Sequence, residues 1–127
     1  MIKRWISILT LNLVIGCSTL NSCDECWWYN QTANYRLHIG LDQYHNGNYD
    51  RSIKELNLTL KLNPTDEEHI LAHKHLAFIY CISGKERICY EEFKHVLEVN
   101  PKFELSPEES GHPIWGPVFR RAKQNNR

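Results

Sequence analysis

The sequence predicts an all-α protein that consists of two helical hairpins and a C-terminal capping segment. The main observation is an internal repeat, because residues 38–64 and 75–101 align over 27 positions without a gap. In each copy apolar residues recur at helical spacing, a glycine follows the first apolar run, and Asn-Pro closes the copy. This order is typical of two helices joined by a short turn and ended by proline.

The first copy predicts helices over 32–46 and 50–62. Gly47 stands where the first of them ends, at a left-handed position that glycine adopts without strain. Pro64 ends the second, because proline cannot continue a helix. Gly40 has no side chain, so we expect the two helices to approach each other closely at this point.

The second copy predicts helices over 66–83 and 86–99. Thr65 and Glu68 form a capping box at the start of the first of these helices. Gly84 marks the turn between them. The predicted core of both hairpins is a set of apolar residues at helical spacing: Ile53, Leu56, Leu60, Leu76, Ile79 and Tyr80.

Residues 102–127 are predicted to cover the apolar end of the second hairpin, since two hairpins alone are fewer than a stable stack needs. Ser106 and Glu109 form a second capping box, with a proline at the first helical position. Pro117 is expected to start a further short helix. Two aromatic side chains of this segment are expected to pack on the last hairpin: Trp115 and Phe119.

The N-terminus carries a signal for export. A basic pair, Lys3 and Arg4, precedes an apolar stretch over residues 5–15. At about 1.5 Å per residue this stretch spans about 16 Å, which is too short for a bilayer core of about 30 Å. We therefore interpret it as part of a signal peptide and not as a transmembrane anchor.

Residues 14–17, VIGC, resemble a bacterial lipobox. The resemblance implies a signal peptide over 1–16 and a lipidated Cys17 at the mature N-terminus. Because Ser18 and not aspartate follows the cysteine, it also implies an outer-membrane lipoprotein that faces the periplasm. Residues 17–31 are then a lipidated tether with a CDEC pair and an aromatic cluster, Trp27, Trp28 and Tyr29.

The four remaining cysteines are candidates for disulfides, because an exported chain folds in an oxidising compartment. Acidic residues stand between Cys23 and Cys26 and would raise the thiol pKa, so a structural disulfide is favoured over a redox centre or a metal site. Cys81 and Cys89 flank the Gly84 turn at similar heights. They either form a disulfide or fill a tight helix contact as small buried residues.

Other features of the sequence give little support for catalysis or nucleic-acid binding. His69 and His73 are four residues apart and His75 is near, but no third ligand is evident, so a solvated or capping role is favoured over a metal site. Fifteen Lys and Arg balance fifteen Asp and Glu, which leaves no basic face for a nucleic acid. We expect no enzyme activity, no cofactor, no metal and no nucleic-acid partner.

The two copies resemble the tetratricopeptide repeat. The second copy carries its signature residues: Leu76, Ala77, Tyr80, Gly84, Cys89, Phe93 and Pro101. The first copy departs from it, with Ser52 and Thr59 where alanine is usual. The inner-face positions of the repeat, transferred to this chain, give a protein-binding groove: Asn34, Leu37, Leu41, Tyr44, Leu71, Lys74 and Phe78. Such an apolar groove is expected to hold a peptide, a helix or the protein's own tail.

The whole chain, including AFIYC at 77–81 and GHPIWGPVFRRAK at 111–123, resembles the small tetratricopeptide lipoproteins of bacterial type VI secretion, the TssQ type. The resemblance implies a non-enzymatic adaptor that binds a protein partner in the cell envelope and the membrane through acylated Cys17. One alternative is a pilotin or assembly lipoprotein of another envelope machine. Another is a thiol-redox or metal-handling protein that uses Cys23 and Cys26.

Overall fold

The computed structural model describes residues 31–126, which form six helices and no strand. The prediction of an all-α fold is confirmed. In chain order the helices are α1 (Ala33–His45), α2 (Tyr49–Lys61), α3 (Asp66–Ile82), α4 (Glu86–Val99), α5 (Pro107–Ser110) and α6 (Trp115–Gln124). The bounds of the first four lie within one residue of those expected from the sequence.

The short turns between helices follow from local residue chemistry. Gly47 and Gly84 have φ angles of 75° and 74°, in the left-handed region, as predicted. Thr65 accepts a hydrogen bond from the backbone of Glu68, whose carboxylate accepts one in return, which confirms the first capping box. The second capping box, at the start of α5, is present as well.

The helices form two antiparallel pairs that stack in chain order. The pairs α1–α2 and α3–α4 have the most extensive contacts, and α3 then packs against α2 and α1. In the same way α6 packs against α4 and, to a smaller extent, against α3. The final helix, α6, therefore packs on the second hairpin in the way that α3 packs on the first.

Two hydrophobic clusters lie between these layers. The smaller one joins the first hairpin to α3 and contains Leu37, Leu56, Ala72, Leu76 and Ile79. The larger one joins the second hairpin to the C-terminal segment and contains Ala77, Phe78, Cys81, Cys89, Phe93, Leu97, Leu105, Val118, Phe119 and Ala122. The expected packing of Phe119 on the last hairpin is confirmed, since its ring meets that of Phe93 at 5.2 Å.

The start of α6 differs from the prediction. The helix begins at Trp115 and not at Pro117, which occupies its third position. Proline is tolerated there because the first turn of a helix leaves its backbone N–H groups without partners inside the helix. The earlier start aims the indole Nε1–H of Trp115 at the backbone oxygen of Glu109, 2.8 Å away.

Among the helices of residues 31–126, none combines the length and the hydrophobicity that a membrane crossing requires.

Candidate protein-binding face

One side of the helix stack carries a row of rings that begins on α1 and ends in the C-terminal segment. Tyr44 of α1 meets His75 of α3 edge to face at 5.0 Å, and His75 meets Phe78 at 5.7 Å. Phe78 stacks on Trp115 with 4.3 Å between the ring centres, and His112 also stacks on Trp115. We call these five residues the aromatic row. It marks the inner face of the stack, on which α1, α3 and the C-terminal segment lie side by side.

Glu109 fastens the C-terminal segment to this face. Its carboxylate accepts a hydrogen bond from Nζ of Lys74 at 2.7 Å, and its backbone oxygen accepts one from Trp115. Burial raises the pKa of Glu109, but the hydrogen bonds from Lys74 and from the backbone of Ser106 outweigh it and leave the pKa below its usual value. The carboxylate is therefore charged at neutral pH, and the ion pair is formed.

The seven residues of the predicted groove divide into a covered part and an open part. Phe78 is only 2% exposed, because Trp115 covers it, and Lys74 is held by Glu109. Leu37 is buried in the smaller hydrophobic cluster. The remaining four form what we call the open strip, which is exposed or half-buried: Asn34, Leu41, Tyr44 and Leu71. Of the three occupants expected for the groove, the protein's own tail fills the end at Phe78 and Lys74.

Tyr44 and His75 of the aromatic row are uncharged at neutral pH. His75 is buried, and burial is the main cause that lowers its pKa to about 4, although its hydrogen bond to the backbone oxygen of Leu71 opposes the shift. Burial also raises the pKa of Tyr44, with smaller contributions from Tyr49 and Glu109. Neutral Tyr44 and His75 beside leucine side chains suit apolar and aromatic groups of a partner, and not a charged ligand.

Sequence reasoning missed His75 and His112 as members of this face. His75 lies four residues after Leu71 and three before Phe78, so helical spacing alone places it between two predicted groove residues. No comparable signal exists for His112, because its position depends on how the C-terminal segment folds back over α3.

The expectation of a solvated role is wrong for His73 and His75, which are 8% and 9% exposed. His73 is covered because α4 packs over that side of α3, where Nδ1 of His73 lies 2.5 Å from a carboxylate oxygen of Glu92. His75 is covered by Tyr44 and Phe78 on the opposite side of the same helix.

Cys81 and Cys89 form a disulfide that joins α3 to α4 beside the Gly84 turn, with 5.2 Å between their Cα atoms. Both cysteines are buried in the larger hydrophobic cluster. The lipidation candidate Cys17, the pair Cys23 and Cys26, and the aromatic cluster at 27–29 lie outside the described residues.

No protein-family model matches the chain, and neither a curated protein nor a solved structure matches it.

Proposed function

We propose that this protein is a membrane-anchored, non-enzymatic adaptor lipoprotein whose two tetratricopeptide-like hairpins bind a protein partner in the cell envelope. We further propose that it serves a bacterial type VI secretion apparatus as an accessory component on the periplasmic side of the outer membrane. The anchor in this proposal is the acylated Cys17.

The observation that carries the proposal is the open strip beside the aromatic row. Leu41, Tyr44 and Leu71 offer half-buried apolar surface, and Asn34 adds one exposed polar group at its end. The open strip runs along α1 and is therefore elongated. Such a shape suits the apolar side of a helix or an extended segment. Tyr44 is rigid and has a polar tip, which is the kind of side chain that dominates binding at protein interfaces.

The tetratricopeptide assignment is supported by the order of packing along the chain. Each hairpin packs internally, α3 then packs on the first hairpin, and α6 packs on the second. It is also supported by Gly40, where an added Cβ would lie 2.7 Å from a terminal carbon of Leu56. A small residue at this point is what the repeat uses to bring its two helices together.

Location in the envelope is supported by the disulfide between Cys81 and Cys89, since disulfides persist in oxidising compartments such as the bacterial periplasm. Lipidation is tested by growing cells with labelled fatty acid. We expect label on the natural chain and none on a Cys17→Ala variant, which would also leave the membrane fraction.

The binding face is tested by photo-crosslinking in cells that express the secretion apparatus. A photoreactive amino acid at Leu41 lies in the open strip, and the same group at Lys54 lies on an exposed position of α2 as the matched control. We expect a crosslink from position 41 to a structural component of the type VI apparatus, and none to that component from position 54.

A crosslink from position 41 to a pilus or secretin component would show that the protein is an adaptor of another envelope machine and not of the type VI apparatus. Equal crosslinking from positions 41 and 54 would contradict the inner face as the binding surface. We also expect Leu41→Glu to abolish the crosslink from a probe at Asn34, because a charge would have to be buried in an apolar contact.

A further inference from the structure

Three histidines come together where the second hairpin is open, at the end away from its turn. His69 and His73 lie four residues apart on the same side of α3, and His95 of α4 lies beside them. The ring centres of His69 and His73 are 4.4 Å apart, and those of His73 and His95 are 4.9 Å apart. We call these residues the histidine cluster. It lies on the side of α3 opposite His75 and plays no part in the proposed adaptor face.

Two carboxylates fix the orientation of two of these rings. Nδ1 of His73 lies 2.5 Å from Glu92, and Nδ1 of His95 lies 3.0 Å from Glu98. A neutral histidine that donates its Nδ1–H to a carboxylate presents the lone pair of Nε2 on the other side of the ring. This pairing is the usual support of a histidine that binds a metal, because it sets both the tautomer and the ring orientation.

The third ring has a free polar atom. Nδ1 of His69 is buried and has no hydrogen-bond partner. A buried nitrogen without a partner costs free energy, so a native structure normally gives it one. The ring of His73 lies beside it, and its nitrogens are potential ligands of the same kind.

The separations of two pairs of these rings, His69–His73 and His73–His95, allow them to share one metal ion. With metal–nitrogen bonds of about 2.0–2.1 Å, two imidazoles on a tetrahedral ion have ring centres about 5 Å apart. Both observed separations are close to this value. As the side chains stand, no three His, Cys, Asp or Glu residues within 31–126 are placed to hold an ion, so binding requires rotation of side chains of the cluster. His95 has room for it, since its side chain is 47% exposed.

We propose that the histidine cluster binds a late first-row divalent transition-metal ion, such as Zn²⁺, through one ring nitrogen each of His69, His73 and His95. Imidazole nitrogen suits such ions better than Mg²⁺ or Ca²⁺, which prefer oxygen. Glu92 supports His73 of α3 from behind, and Glu98 supports His95 of α4. The bound ion connects α3 to α4 at the end of the hairpin away from the disulfide.

The test is a Zn²⁺ titration of the full-length chain in detergent against a chromophoric chelator. Cys17, Cys23 and Cys26 are replaced by serine in every sample, so that no free thiol competes for the ion. We expect one Zn²⁺ per chain and an affinity at least tenfold lower in His95→Gln. Glu92→Gln is expected to weaken binding about 10- to 100-fold through its effect on His73.

The matched control is His38→Gln, since His38 is an exposed histidine of α1 outside the cluster. It is expected to leave the affinity unchanged. His95→Gln changes an exposed side chain, so its fold is checked by the far-ultraviolet circular dichroism and the Tm without metal, which should match the parent. X-ray absorption of the Zn²⁺-loaded chain should show three imidazoles at about 2.0 Å.

Equal Zn²⁺ affinity in His95→Gln and His38→Gln would overturn the proposal, because the ion would then not join the two helices. An absorption spectrum without imidazole scattering would overturn it as well. Binding of Mg²⁺ with similar affinity would contradict the assigned class of ion.

Discussion

The first hairpin, α1 and α2, and the second, α3 and α4, have the same outline, but different contacts hold their helices together. In the first, Gly40 lets Leu56 approach, and Ser52 donates a buried hydrogen bond of 2.8 Å to the backbone oxygen of Gly40. A largely buried ion pair, Arg36 with Glu55, adds a second polar contact. The first hairpin thus depends on the absence of a side chain at Gly40 and on buried polar groups that have hydrogen-bond or ion-pair partners.

The second hairpin has alanine, Ala77, at the position of Gly40. It keeps a matching polar contact, His73 with Glu92, and adds ring contacts and a disulfide. Phe93 is fully buried between the rings of Phe78 and Phe119, and the disulfide closes the turn. The comparison shows that one backbone arrangement is reached by two kinds of stabilisation. Four changes, taken from the largest expected effect to the smallest, test how far this difference extends.

Phe93→Ala is expected to have the largest effect, a loss of about 3–5 kcal/mol in the free energy of unfolding, because it empties the centre of the larger cluster. Leu56→Ala, the matched change in the first hairpin, is expected to cost less, since it removes fewer buried atoms. Denaturant unfolding measures both. An equal or greater loss for Leu56→Ala would show that the smaller cluster is the main source of stability.

Acidification is expected to act through His75, which lies between the two hairpins. The pKa of this histidine falls from 6.5 to about 4 on folding, so the unfolded chain takes up the proton first. The contribution of neutral His75 to stability is complete above pH 6.5 and is lost as the pH falls toward 4. The total loss is about 3 kcal/mol, at about 1.4 kcal/mol per pH unit.

This loss is measured by unfolding between pH 7 and pH 4 with a chelator present. His75→Phe removes the titrating group and keeps a ring in the row, so its stability should change much less over this range. The same slope in both proteins would contradict the role of His75.

Loss of the disulfide is expected to lower the free energy of unfolding by about 2 kcal/mol, because the closed loop is short. The double variant Cys81→Ala/Cys89→Ala tests this in the second hairpin without touching Cys23 and Cys26. The thermal midpoint and the denaturant midpoint should both fall. Unchanged midpoints would show that the apolar contacts alone hold this hairpin.

Gly40→Ala is expected to have the smallest effect, a net loss of about 1 kcal/mol. The new Cβ would meet Cδ2 and Cγ of Leu56 at 2.7 and 2.9 Å, and the better helix propensity of alanine offsets part of that strain. In a Leu56→Ala background most of this loss should disappear, since the clash with the side chain is gone and only the backbone nitrogen of residue 56, at 3.3 Å, remains close. A loss that persists in that background would contradict the close approach as its cause.

The helices of this chain were predictable because their signals are local. Gly47, Gly84 and the capping box at Thr65 fix turns and helix ends through residues a few positions apart. The inner face was predicted in part for a related reason, since the positions of a repeat carry over from one copy to the next.

The contacts that complete the face and the histidine cluster were not predictable, because they join residues far apart in the chain. Nothing near Phe78 in sequence indicates that Trp115 covers it, and nothing near His73 indicates that His95 lies beside it. Such pairs depend on the rotation of each helix about its axis and on how the next element packs over it. Burial of His73 was missed for the same reason.

The placement of α6 gives the stack of hairpins a direction. Val118, Phe119 and Ala122 close the stack after α4, on the side where a third hairpin would otherwise add. Growth of the array, by a second copy or by helices of a partner, is therefore blocked at that end. Within the residues that the structure describes, the opposite end of the stack is formed by α1 and α2. In the proposed lipoprotein, an assembly that adds to the stack would therefore do so at the hairpin that directly follows the tether of Cys17.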